Sequence, residues 1–215
     1  KSFLVCLFMF LFWINANSQT LDTINLGAFE QQFRDSIVLL NEQNEQLKAS
    51  RDAYNSGLLL LKNENYIDAI KYFTNAIIID SVFIAAYLSR ATCYQEPNYE
   101  LAIADYRIAF SLDSTNLQPL YSIADLQLGS DKVLAAQTYR TIISFNNSEY
   151  KAYSQLGIIA FLVKDYKEAE QFLTQSLIIN KNAYTLNDRG SCYRKMEQFD
   201  LAIQNYLAAI ALNNN

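Results

Sequence analysis

One short pattern recurs five times along the chain and leaves it little choice of fold. Small residues at Gly57, Ala91, Ala124, Gly157 and Gly190 are each followed 11 or 12 residues later by an alanine, at Ala69, Ala102, Ala135, Ala169 and Ala202. Successive small residues stand 34, 33, 33 and 33 positions apart. Four residues after each alanine comes a large side chain, Phe73, Tyr106, Tyr139, Leu173 or Tyr206, and three further on Ala76, Ala109, Ile142, Ser176 or Ala209. A period of this length belongs to a unit that cannot bury its apolar face alone and stacks on copies of itself.

Within each period the apolar residues return at spacings of three and four, as in Ala69, Ile70, Phe73, Ala76 and Ile77, which is the stripe of an amphipathic helix. Each repeat therefore reads as two antiparallel helices and the fold class as all-α. The spacing predicts helix pairs near 51–63/66–79, 84–95/99–112, 117–128/131–145, 150–163/166–179 and 183–195/199–212, with no β-strand. The small residue is expected to meet the alanine of the second helix where the two backbones come closest. Short polar stretches such as Lys62-Asn63-Glu64-Asn65 separate the helices, and Tyr66, Tyr99, Tyr166 or Phe199 follows to plug the corner. Asp80, Asp113, Asn146, Asn180 and Asn213 close the repeats, side chains that cap turns by bonding to their own backbone.

Over residues 50 to 215 this arrangement resembles the tetratricopeptide repeat (TPR) family, on Gly57, Ala69, Phe73, Ala76 and Asp80-Ser81 in the first repeat and on Ala183, Leu186, Gly190, Tyr193, Phe199, Ala202, Tyr206, Ala209 and Asn213 in the last. The proline that the family often places after the closing residue is here Ser81, Ser114, Asn147, Lys181 and Asn214, and Gln127 and Lys132 replace expected aromatics in the third repeat. The resemblance implies a right-handed α-solenoid of about five helix-turn-helix repeats, at 50–83, 84–116, 117–149, 150–182 and 183–215.

The rest of the chain is of a different kind. Lys1 precedes an apolar run from Phe3 to Ile14, and Ala16-Asn17-Ser18 offers small residues at signal-peptidase spacing. Twelve apolar residues fall short of the roughly 20 a spanning helix needs. Residues 1–18 are thus expected to be a cleaved signal peptide, the mature chain to begin near Gln19 with no integral membrane span, and the protein to be secreted or periplasmic. Residues 19–49 form an N-terminal linker and helix. Phe29, Phe33, Ile37, Leu40 and Leu47 fall at helical spacing, so this helix is expected to cap the first hairpin. A coiled-coil strand is the alternative.

Composition narrows the chemistry. There is no histidine among 215 residues, which excludes Ser-His-Asp triads and His-ligated zinc. No Gly-rich phosphate loop occurs. Residues 1–18 hold one lysine and no acid, so 16 basic against 22 acidic residues remain, a net charge of −6. Nucleic-acid binding needs clustered Lys and Arg and is not expected. Cys93 and Cys192 both stand two residues after a small residue, where other repeats carry Leu59, Leu126 and Ile159, and read as buried structural thiols. No cofactor, metal or catalytic residue is expected, and the chain reads as a binding protein, not an enzyme.

In the resembled family the inner face of the solenoid, formed by the first helices, binds partners. Counting from each small residue places Tyr54, Leu58, Leu61, Leu88, Tyr121, Leu128, Ile158, Phe161 and Arg194 on that face, with Asp125 among them. The mix is aromatic and apolar with few charges. It does not match the Lys, Asn and Arg set with which some members grip a peptide's C-terminal carboxylate. The expected partner is a protein or peptide whose apolar segment lies in the groove and resists salt. The alternatives are homo-oligomer formation within a larger envelope assembly, since no polar helix follows the last repeat, and a fragment of a longer multidomain protein.

Overall fold

The computed structural model describes residues 26–94 and 98–213. Among them there are ten helices and no strand. They are α1 Leu26–Lys62, α2 Tyr66–Ile79, α3 Ile84–Cys93, α4 Tyr99–Leu112, α5 Gln118–Ser130, α6 Lys132–Phe145, α7 Tyr150–Leu162, α8 Tyr166–Ile179, α9 Ala183–Lys195 and α10 Phe199–Asn213. No helix among the described residues is long and apolar enough to cross a membrane. The expected signal segment lies outside the described residues. The chain divides into two compact units, Lys1–Ala49 and Ser50–Asn215.

The second unit holds the five hairpins: helices α2 to α10 each pack on their neighbours in sequence, and α1 from Ser50 onward meets α2 through Leu61 and Phe73. The helix of the first unit does not end at the boundary. The backbone of residues 28–49 is continuous with the first helix of repeat 1 in the 37-residue α1. Ala49-Ser50-Arg51 contains no Gly or Pro to stop a helix, and Ser50, which has the chemistry of an N-cap, instead donates its hydroxyl to the Ala76 carbonyl at 3.0 Å. The apolar positions Ile37, Leu40 and Leu47 of this unit are exposed.

Local chemistry explains where the hairpins turn. Asn65, Asp131, Asp165 and Asn182 accept backbone N–H groups from the first turn of α2, α6, α8 and α9. Before three of the second helices the chain passes through a left-handed residue, Glu64, Lys164 or Glu197, with φ of 58°, 67° and 60°. The following N–H reaches back five residues, as from Asn65 to the Leu60 carbonyl at 2.9 Å and from Asp165 to Ala160 at 2.9 Å, which closes the helix in a Schellman turn. Between repeats, Asp80, Asp113 and Asn146 accept the N–H two residues on from Val82, Thr115 and Ser148 at 3.0–3.1 Å.

The packing corrects one expectation. A Cβ added at Gly57 would lie 2.6 Å from Phe73 Cε1, at Gly157 2.6 Å from Leu173 Cγ, and at Gly190 2.8 Å from Tyr206 Cε1. The small residue thus makes room for the large side chain four residues after the alanine, and not chiefly for the alanine itself. Phe73 and Leu173 are fully buried as a result. The largest cluster joins repeats 2 to 4 through Leu120, Ile123, Tyr139, Ile142, Leu156 and Ile159.

Toward both ends of the stack a polar clip replaces part of this apolar contact. Arg90 donates from Nε and Nη2 to the two oxygens of Asp105 at 2.8 and 2.7 Å, and from Nη1 to Thr74 Oγ1 at 3.0 Å. Arg189 repeats the arrangement, donating to Asn205 Oδ1 at 2.9 Å and to Thr174 Oγ1 at 3.0 Å. Each arginine precedes the small residue of its repeat, and ties its own second helix to that of the repeat before. Asp105 and Asn205 are both buried. Ile123 and Leu156 hold the arginine position in repeats 3 and 4, where the core is apolar.

Candidate functional site

The first helices of repeats 3, 4 and 5 line a groove of about 980 Å³. Helix α5 contributes Tyr121 and Asp125, α7 Tyr150, Lys151, Ser154 and Ile158, and α9 Tyr184, Thr185 and Asp188. Tyr139 from α6 and Glu149, just before α7, complete the middle of it. The Ser154 and Thr185 hydroxyls join α7 to α9 at 2.9 Å.

The lining differs from the apolar face expected. Three carboxylates, Asp125, Glu149 and Asp188, stand there against one cation among the described residues, Lys151. Two are held by tyrosines. Tyr121 donates its hydroxyl to Glu149 Oε2 at 2.9 Å, and Tyr139 donates to Asp125 Oδ1 at 2.9 Å. Burial, and then the carboxylate each one faces, push both phenols above their usual range, so they remain donors. Burial also raises the Asp188 carboxyl, an acid whose charged form lacks solvent.

Of the residues expected at the site, the structure brings Tyr121 and Ile158 into this groove. Ile158, Phe161 and Arg194 meet in an adjoining hollow of about 270 Å³, which shares Asp188. The others lie elsewhere. Tyr54 is half-buried against the rings of Phe73 and Phe83, at 5.6 and 4.9 Å. Leu61 packs on the Ala69, Phe73 and Cys93 cluster, and Leu88 and Leu128 on the central core. Leu58 is exposed and lines neither hollow.

No group of Cys, Asp or Glu among the described residues could hold a metal ion. Cys93 and Cys192 are free and buried. Burial raises both thiols, and with the nearby Asp188 and Glu170 charges it pushes Cys192 up to about 12. Neither is expected to react with a thiol reagent at pH 8 until denaturant is added, since the thiolate is the nucleophile. Between pH 9.0 and about 12 the unfolded Cys192 gives up its proton first, so stability is expected to fall as pH rises through that window. Rapid native labelling would show that the first helices of repeats 2 or 5 open.

Comparison with known proteins bears on the fold. Residues 183–215 match the tetratricopeptide repeat family model. The fold is a tetratricopeptide-type α-solenoid. The human tetratricopeptide repeat protein 6 is 26% identical over 152 residues, 68% of this chain and 29% of that protein. The DnaJ homolog subfamily C member 7 homolog of Dictyostelium discoideum is 28% identical over 185 residues, 82% of this chain and 33% of that one. The chain thus spans about a third or less of the curated relatives it matches. Among solved structures, MamA superposes with a TM-score of 0.65 at 16% identity, over 78% of this chain and 93% of its own. YrrB, described as a TPR protein with an unusual peptide-binding site, gives 0.60 at 18% identity, over 83% and 92%. Pseudomonas aeruginosa pilF gives 0.60 at 21%, over 78% of each.

Proposed function

We propose that this chain is a non-catalytic scaffold that acts outside the cytoplasm and holds a segment of a partner protein in the groove of repeats 3 to 5. The apolar run from Phe3 to Ile14 with its small-residue boundary supports the location. A solenoid of this type serves protein-protein contact, and the peptide-binding site ascribed to YrrB supports the same use of the fold. The observation that carries the reading is the lining itself: tyrosines beside three carboxylates and one lysine. Tyrosine offers broad apolar area with a polar tip, as binding anchors do. The surplus of carboxylates calls for a segment bearing Lys or Arg. A cation laid beside Asp188 would also relieve the cost of its buried charge.

Titration of fluorescent peptides of matched length, one set with lysine and tyrosine and another with glutamate and tyrosine, tests this. Binding is expected for the basic set and not the acidic one, and to weaken as salt rises from about 50 to about 300 mM. Asp125→Asn with Asp188→Asn should weaken it about fivefold to thirtyfold, since each partly exposed pair contributes up to about 1 kcal/mol. Equal binding of both sets, or no response to the double substitution, would place the partner elsewhere.

A further inference from the structure

We infer that the stretch of α1 from residue 33 to residue 48 pairs with the same stretch of a second copy of this chain as a parallel, in-register two-stranded coiled coil, with Glu30, the preceding a position, left outside the seam. Phe33, Ile37, Leu40, Asn44 and Leu47 follow one another at spacings of four, three, four and three, the seam of a heptad repeat with Ile37 and Asn44 at a and Phe33, Leu40 and Leu47 at d. Ile37, Leu40 and Leu47 are 43%, 55% and 42% exposed, unusual for a run of large aliphatic side chains on one helix face, and Phe33 is half-buried.

Asn44 identifies the occupant. In a parallel in-register pair, a positions meet a positions, so Asn44 faces its own copy and each carboxamide can donate to the other. In an antiparallel pair, a positions meet d positions, and every d position from 33 to 47 is apolar. Asn44 would then be buried without a partner, a cost that selects against that arrangement. A single buried Asn at a is the device that fixes register and strand number in such pairs. The flanking e and g positions raise no conflict: Ser36 meets Asn41 and Gln43 meets Lys48 of the partner strand, with no like charges opposed. Val38 and Leu39, also exposed, lie outside the seam and stay uncovered by this pairing.

Cysteine cross-linking of the full chain tests the inference. With Asn44→Cys, mild oxidation by copper–phenanthroline should yield a disulfide-linked dimer, because the two sulfurs face each other across the seam. Glu42→Cys, on the outer face of the same turn, should yield little. In sedimentation equilibrium the unmodified chain should approach dimer mass as concentration rises, and Leu40→Asp should hold it monomeric. These positions are exposed in the single chain, so the variants should keep the parent's helical signal and melting curve. Equal cross-linking at 42 and 44, cross-linking at neither, or a concentration-independent monomer would overturn the pairing. Groove binding of basic peptides by the Leu40→Asp variant would be unaffected in either case.

Discussion

Asp105→Ala is expected to lower the stability of the solenoid by about 3 kcal/mol, the lower end of the range for breaking a buried ion pair by removing one partner. The Asp105 side chain is 5% exposed and that of Arg90 16%, and two hydrogen bonds join them in a fork. Without the carboxylate, Arg90 retains Thr74 but loses the acceptor that offsets its desolvation. Asp105→Asn should cost less, about 1–2 kcal/mol. Repeat 5 shows why: Asn205 accepts from Arg189 while its own amide donates to the Leu201 carbonyl at 2.8 Å, so an asparagine fits the clip. Urea denaturation of the three proteins, followed by circular dichroism, measures both differences. Equal losses for Ala and Asn would mean that the charge is essential, and a negligible loss for Ala would mean that Arg90 escapes to solvent.

That clip lay in the sequence without being legible there. Arg90 and Asp105 are 15 residues apart, and charged residues on amphipathic helices ordinarily mark the solvated face. The signal was positional. Repeats 2 and 5 both carry arginine just before the small residue and Asp or Asn three after the alanine, while repeats 1 and 4 carry threonine just after the large residue. The helix pairs were legible because their causes are local. Apolar spacing sets each face, and Asn65, Asp131, Asp165 and Asn182 cap the helices where the sequence breaks. The unbroken helix through residue 50 was not legible, because a change of role from linker to repeat need not change the backbone. The groove was half legible. Counting three before and one or four after each small residue follows one narrow stripe, yet α7 presents Tyr150, Lys151, Ser154, Gln155 and Ile158, a stripe two residues wide. Asp188 lies two before Gly190 and falls outside the count, so the acidic character went unseen.

Phe73→Ala is expected to cost about 3–5 kcal/mol, the range for removing a buried aromatic ring and leaving its cavity. Phe73 is fully buried, and its ring occupies the space that the missing side chain of Gly57 leaves open. Gly57→Leu is expected to be destabilising as well, by about 1–3 kcal/mol, because its Cβ alone would come within 2.6 Å of a ring atom of the fully buried Phe73. The two changes act on one volume. The double substitution should therefore be less damaging than the sum of the singles by about 1–3 kcal/mol, the coupling expected of residues in contact. Replacing glycine within a helix by leucine also gains up to about 1 kcal/mol of helix propensity, a gain expressed fully only once the ring is gone. If glycine instead made room for the alanine of the second helix, Gly57→Leu would clash with Ala69, and truncating Phe73 would bring no relief. Additive losses in urea would thus return the contact to Ala69, whereas strong coupling would establish the small-against-large pairing that Gly157 with Leu173 and Gly190 with Tyr206 repeat along the stack.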